Sequence, residues 1–284
     1  MGQEFLLMGT LREHGSFKKL HLIGCGDPGT GKTGSLAALI NELPRWGIER
    51  VVVQDWDDGL DILTSHVKPD KLDLVHYATL RDQMRPAAGG PIVRESLALG
   101  KGMNLMTNWK QGDENLGPAL SWGPETLFVV DSLTGMGDAA RNYAYDKLKV
   151  QDGWRNIGEG MEVQDRYVQM LIAMDCHVIL FAHVRTIGGG GQQTIRDKDG
   201  EASKKVVDNE DLGNQYPSAL GRQLPKQIAR HFNGLLMWHL VGKNRKIRTV
   251  PLDEKFAIKF PFKVGDELSQ ETGLVQIFSA YLDR

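Results

Sequence analysis

The segment Gly26-Asp27-Pro28-Gly29-Thr30-Gly31-Lys32-Thr33 restricts the fold of this chain more than any other stretch. It fits the spacing G-x-x-x-x-G-K-[ST] and lies between the apolar run Leu20-His21-Leu22-Ile23 and a stretch of helical periodicity, residues 33–43. Strand, glycine-rich turn and helix in that order open a βαβ unit, so the expected class is α/β with parallel strands. Each part of the loop has a physical task. The glycines let backbone amides approach an anion without side-chain clashes, and the helix that begins at Thr33 and Gly34 adds its positive end. Lys32 brings a charge to the β- and γ-phosphates, and Thr33 offers a hydroxyl to a cation. The expected ligand is therefore a nucleoside triphosphate, ATP with Mg2+.

Further apolar runs support a parallel sheet. Val51-Val52-Val53, Leu127-Phe128-Val129-Val130 and Val178-Ile179-Leu180-Phe181-Ala182 lack polar alternation, as strands buried on both faces do. Residues 72–77 alternate in part and are expected nearer an edge. Between the strands, residues 33–43 place Leu36, Leu39, Ile40 and Leu43 on one face and should stop at Pro44. Residues 163–174 carry Val163, Tyr167, Met170, Leu171 and Met174 along one stripe. Residues 135–160 and 186–217 break the pattern and read as long loops, the first with a short helix around residues 139–149. Residues 219–232 read as helical, and residues 235–241 and 246–250 as a hairpin turning at Gly242-Lys243-Asn244.

Composition bounds the partners. With a net charge of −2, any nucleic-acid contact must come from a local basic surface. Cys25 and Cys176 have no metal-ligand spacing and suit a reducing compartment. The apolar runs are too short to span a bilayer, and Phe5-Leu6-Leu7-Met8 lacks the basic leader of a signal peptide. A cytoplasmic protein without membrane contact is expected.

Three further positions carry chemistry. Asp131 follows a buried strand at its carboxyl end, where an open α/β sheet places ligand-contacting residues, and can hold magnesium with Thr33; the plainer reading is a turn or helix cap. Asp55, Asp57 and Asp58 crowd the end of another strand, and one of them is placed to orient or activate water. His183 closes a third strand, where it could hydrogen-bond a γ-phosphate or serve as an ordinary packed side chain.

Together these residues resemble the RecA-type recombinase core. Residues 54–61, Gln-Asp-Trp-Asp-Asp-Gly-Leu-Asp, look like the recombinase segment with the water-activating acid, which falls on Asp57 with Asp in place of Glu. Val129-Val130-Asp131-Ser132-Leu133 looks like the Walker B strand, and Phe181-Ala182-His183-Val184-Arg185 puts His183 at the γ-phosphate-sensing position. The chain is most similar to short phage nucleotide-binding proteins of the single-strand-annealing type, through residues 219–225 and 230–233 as well as the Walker elements. That resemblance implies a RecA-like, doubly wound, mostly parallel sheet flanked by helices, with a C-terminal β-hairpin extension. It divides the chain into an N-terminal segment (1–17), an ATPase core (18–252) and a C-terminal extension (253–284). It also implies an ATPase of the host cytoplasm that binds single-stranded DNA, promotes annealing or recombination, works as a homo-oligomer with nucleotide at subunit interfaces, and acts with a single-strand-binding protein. Catalytic roles fall on Lys32, Asp57, Asp131 and His183.

By the same resemblance, residues 135–160 and 186–217 correspond to DNA-contacting loops. The second carries Arg196, Lys198, Lys204 and Lys205 but more acids than bases, and Arg185 precedes it. The stretch from Arg222 to Arg248 is better suited. Arg222, Lys226, Arg230, Lys243, Arg245 and Lys246 lie there without an Asp or Glu, as for phosphate contact. Lys243, Arg245 and Lys246 are alternatively candidates for a neighbour's γ-phosphate, and Trp154 for stacking on a base. A helicase or loader of the same fold, a small-molecule kinase and a slow nucleotide switch are the competing readings, the last because Asp57 is one methylene shorter than Glu.

Overall fold

The apolar runs become the centre of an eight-stranded sheet in the computed structural model, which describes residues 19–86, 90, 92–149, 153–186, 192–196, 202–206, 214–221, 223–251 and 258–283. In chain order the strands are β1 (His21–Cys25), β2 (Arg50–Asp55), β3 (Val75–Thr79), β4 (Gln83–Pro86), β5 (Ile92–Glu95), β6 (Trp109–Gln111), β7 (Glu114–Gly117), β8 (Thr126–Asp131), β9 (His177–Ala182), β10 (Val184–Thr186), β11 (Gln192–Arg196), β12 (Ala202–Val206), β13 (Gln215–Pro217), β14 (Gly234–Val241), β15 (Asn244–Arg248) and β16 (Glu267–Ser269). The helices are α1 (Lys32–Ile40), α2 (Asp61–His66), α3 (Ala98–Thr107), α4 (Leu133–Asp146), α5 (Gly153–Ala173), α6 (Leu224–Ile228) and α7 (Gly273–Leu282).

The sheet runs β16-β15-β14-β1-β9-β8-β2-β3. From β14 to β3 all neighbours are parallel, while β15 and β16 add antiparallel pairs. This is the doubly wound, mostly parallel sheet expected, with β3 at the edge as its partial alternation implied. Along β8, Leu127 and Val129 face one apolar cluster with Leu36, Leu39, Ile277 and Phe278, and Phe128 and Val130 face the other with Leu133, Met136, Tyr167 and Leu171. Both faces are covered, which is why the strands read as continuous apolar runs; each fully buried side chain contributes roughly 1.5–3 kcal/mol. Parallel pairing brings the carboxyl ends of β1, β2, β8 and β9 to one edge.

Several local expectations change. Residues 135–160 are mostly helix, not an open loop: α4 covers 133–146, and α5 starts at Gly153, ten residues before the stripe that suggested it. The glycines there sit where helices touch, and a Cβ on Gly160 would meet Leu220 and the backbone of Arg141 at 3.0–3.2 Å. Within residues 186–217, β10 pairs with β13 and β11 with β12, antiparallel hairpin pairings that need no apolar period. The first half of the expected edge strand is a 3-10 helix, Pro69–Leu74, begun by its proline. Among the described residues of 219–232 there are α6 and one 3-10 turn. Residues 258–283 return to the sheet as β16, and α7 packs beside α1 through Leu274, Ile277 and Phe278. Among the described residues no helix is long and apolar enough to cross a membrane.

At the opposite edge of the sheet His21 and His177 are both buried. The Leu20 amide donates to His177 Nδ1 at 3.1 Å, and His21 Nε2 lies 3.1 Å from the Cys176 carbonyl. Burial pushes each imidazole down to about 4 from its ordinary 6.5. Both are neutral in the fold, so their contribution is complete above pH 6.5 and is lost as pH falls towards 4, at most ~3 kcal/mol each. The thermal midpoint, followed by circular dichroism, should fall between pH 7 and 5 by on the order of 5 °C. Replacing His177 with Gln should flatten that fall.

Candidate nucleotide site

β1 ends at Cys25, and the chain turns at once over the ends of β9 and β14. The Gly26 amide donates to the Ala182 carbonyl at 3.2 Å, and a Cβ on Gly26 would stand 2.6 Å from the Trp238 carbonyl, so glycine is required by close approach. Gly29 and Gly31 have φ of 80° and 95°, a left-handed backbone that glycine adopts without strain. The loop then enters α1 with the Ser35 amide bonded to the Gly31 carbonyl at 2.9 Å. Lys32 is buried and donates to the carbonyls of Gly26 at 2.7 Å and Asp27 at 3.2 Å. Burial lowers its pKa, and Asp131 is the largest opposing influence. The ammonium is held inside the loop it follows, at the wall of the cleft.

Asp131, at the end of β8, accepts a hydrogen bond from the Thr33 hydroxyl at 2.8 Å. It is 4% exposed, and burial raises its carboxyl to about 6 while the Thr33 bond opposes the rise. A hydroxyl and a carboxylate in contact, beside a turn lined with amides, match what magnesium takes from a protein when phosphate and water complete its shell. Among the described residues no three His, Cys, Asp or Glu side chains gather into a metal site of their own, so such a cation would depend on those added ligands. Cys25 and Cys176 are both buried as free thiols.

The three acids at the end of β2 and in the turn after it separate by environment. Asp55 is 1% exposed, and its Oδ1 accepts from the amides of Asp57 and Gly59, each at 3.2 Å, which shapes the turn. Asp58, at φ 59°, pairs with Arg81 at 2.6 Å. Asp57 is left facing the cleft, with its Oδ2 3.6 Å from His183 Nε2. Burial first, and then the Lys32 charge, hold the His183 imidazole below its ordinary value, so it is neutral at pH 7. The His183 amide donates to the Thr134 hydroxyl at 3.0 Å, which ties the end of β9 to the start of α4.

These side chains line a cleft of 560 Å³ together with Pro28, Gly29, Gly31, Gly34, Ile62, His66, Arg245 and Gln270. Three of these, Ile62, His66 and Gln270, carry no motif and were not expected from the sequence. Gln270 precedes α7 and nests against α1, where a Cβ on Gly34 would collide with its Nε2. The small residue after Thr33 was the one sequence signal that something packs there. Arg245, a candidate for DNA phosphates or a neighbour's γ-phosphate, donates through Nε to the Gly29 carbonyl of its own chain at 3.0 Å.

The other candidates fall on separate elements. Trp154 is 84% exposed, in the first turn of α5 rather than in a loop. Arg185 donates to the Ala219 and Gly221 carbonyls at 3.3 and 2.8 Å. Arg196 ends β11, Lys204 and Lys205 lie on β12, and Lys198 and Arg222 lie outside the described residues. Lys226 belongs to α6, and Arg230 Nε contacts His231 Nε2 at 3.0 Å. Lys243, Arg245 and Lys246 do come together, around a polar hollow of 370 Å³ beside the cleft.

No protein-family model matches the chain, and no curated protein matches it. Among solved structures it is similar to a KaiC-like protein of the hyperthermophilic archaeon Pyrococcus horikoshii, with 13% identity, 89% of each chain covered and a TM-score of 0.40. So distant a likeness adds nothing to the site, whose reading rests on its own geometry.

Asp131 shifts stability with pH in the opposite sense to the two histidines. Its folded value lies above the ordinary 3.8, so the cost of ionising it is absent below about pH 4 and complete above about 6. At two units of displacement that cost is ~3 kcal/mol, opposite in sign to the histidine effect and about half its size. Asp131→Asn should therefore raise the thermal midpoint without nucleotide at pH 7.5 by about 3 °C. It should also weaken magnesium-dependent nucleotide binding at least ~10-fold, measured with a fluorescent analogue.

Proposed function

We propose that the protein binds and hydrolyses ATP with magnesium and couples the nucleotide to single-stranded DNA, promoting annealing or recombination. The observation that carries the nucleotide half is the Thr33–Asp131 hydrogen bond beside the buried Lys32 ammonium. Lys32 exchanges its bonds to the Gly26 and Asp27 carbonyls for β- and γ-phosphate oxygens, and the amides of the loop and of the start of α1 direct their N–H groups at the same anion. Thr33 and Asp131 hold magnesium, which when bound neutralises charge on the phosphate oxygens. Asp57 orients a water and accepts its proton as the oxygen bonds to the γ-phosphorus. The bond from that phosphorus to the bridging oxygen breaks, leaving ADP and phosphate. Neutral His183 donates an N–H to the γ-phosphate and passes its presence through the end of β9 towards β10 and β13.

The DNA half is supported by charge. Residues 222–248 hold no Asp or Glu, and their hairpin turn lies at the edge of the sheet that holds the cleft. Lys243 and Lys246 at that turn would meet either DNA phosphates or the nucleotide of an adjoining copy in a homo-oligomer, and exposed Trp154 offers a face for stacking. A single-strand-binding protein would present the DNA.

Lys32→Ala should abolish tight nucleotide binding and lower hydrolysis by at least ~10²-fold. Wild-type hydrolysis should rise with single-stranded DNA at low salt and less so at high salt. Hydrolysis indifferent to DNA, with no change in the fluorescence anisotropy of a labelled oligonucleotide, would replace the DNA reading with a slow nucleotide switch or a small-molecule kinase. Unwinding of a forked duplex would point to a motor.

A further inference from the structure

We infer that Gly135 is a positioning residue for Asp57, whose missing Cβ lets a short acid reach the γ-phosphate side of the cleft; the inference rests on Asp57 orienting the attacking water. Gly135 is the third residue of α4, and its amide is capped by the Ser132 hydroxyl at 3.2 Å. A Cβ there would stand 2.5 Å from Asp57 Oδ1, 2.9 Å from the Trp56 carbonyl oxygen and 3.0 Å from Trp56 Cβ. A carboxylate could swing away from such a contact, but the carbonyl is backbone and cannot.

Neither side has room to retreat. The Trp56 amide is bonded to the Asp131 carbonyl at 2.5 Å, and the Trp56 ring is buried against Gly102, where an added Cβ would stand 2.7 Å from it. On the other side the first turn of α4 is held by two long-range contacts. Gln164 Nε2 donates to the Leu133 carbonyl at 2.8 Å. The Thr134 hydroxyl accepts from the His183 amide at 3.0 Å and donates to the Ser218 carbonyl at 3.2 Å. The backbone after β2 therefore meets α4 at a fixed separation that only glycine allows.

Local preference argues against glycine here. Gly135 lies inside a helix without a positive φ, where alanine is the better helix former. A residue that defies its local preference marks a place where function or packing has prevailed. The packing partner is the acid at the cleft. Asp reaches one methylene less far than Glu, and the close approach of the backbone at Gly135 makes up that distance.

Four variants measured for kcat and KM of ATP hydrolysis test this: Gly135→Ala, Asp57→Asn, Asp57→Glu and the double variant Asp57→Glu with Gly135→Ala. Gly135→Ala should lower kcat on the order of 10²-fold with KM nearly unchanged, since the phosphate loop and Asp131 are untouched. The double variant should recover at least about tenfold over Gly135→Ala, because the longer acid reaches from the displaced backbone. Wild-type kcat in Gly135→Ala, with Asp57→Asn inactive, would overturn the positioning role and leave the role of Asp57 standing. Full activity in Asp57→Asn would overturn the role of Asp57 itself. Should Gly135→Ala fold too poorly for kinetics, Asp57→Glu alone decides: at the close separation that Gly135 allows, the longer acid should lower kcat at least about tenfold, and wild-type kcat in Asp57→Glu would overturn the positioning role.

Discussion

A buried ammonium holds the centre of this structure together. Lys32 gains oxygen partners because the loop before it folds back over its own side chain, and that fold needs the left-handed backbone at Gly29 and Gly31. Isolated charges are expensive to bury, so the loop carbonyls and the nearby Asp131 must compensate together. Asp131 is in turn held above the usual carboxylate range by its own burial. Two opposite charges, each disfavoured alone, thus face one cleft at the end of a sheet whose strands are fixed by apolar packing on both sides. An arriving anion and cation would relieve both, so the packed sheet keeps the cleft in a state that ligands improve.

The parallel sheet explains why residues far apart in sequence converge. Gly26, Asp57, Asp131 and His183 lie at the carboxyl ends of four different strands, and each is placed by the rule that those ends share an edge. Once β9 lies between β1 and β8, the groups meet without any special loop. What differs among them is burial. Asp55 is buried and shapes a turn, Asp58 pairs with Arg81, and Asp57 stays exposed to the cleft beside His183. The turn after β2 assigns its three carboxylates to three tasks by geometry alone.

Much of this was legible in the residues. The phosphate loop, the four apolar strands, the edge position of β3, the hairpin of β14 and β15 and the placement of Asp131 all follow from local pattern, because strands buried on both faces and a glycine-lined turn leave strong signals. The helices α4 and the start of α5 were not legible. Gly135, Gly137, Gly153, Gly158 and Gly160 suggest a loop, yet Gly137 and Gly160 make room for Gln164, Leu220 and Arg141. The pairing of β11 with β12 was hidden because polar hairpins carry no apolar period. Gln270 could not be found from its neighbours, since its importance lies in what it touches across the sheet. The bond from Arg245 to the Gly29 carbonyl had no sequence signal either, because it forms where the hairpin meets the loop of its own chain.

The return of residues 258–283 to the sheet has a consequence for how the chain is made. The phosphate loop and α1 are synthesised early, but the surfaces that cover them come late: Arg245 on Gly29, Gln270 in the notch at Gly31 and Gly34, and α7 beside α1. Until those residues leave the ribosome, α1 packs on the sheet without α7 beside it, and the cleft lacks Arg245 and Gln270. Such long-range closure is slow compared with local pairing. The cleft is therefore laid down in the chain well before Arg245, Gln270 and α7, and closes only when they pack back onto it.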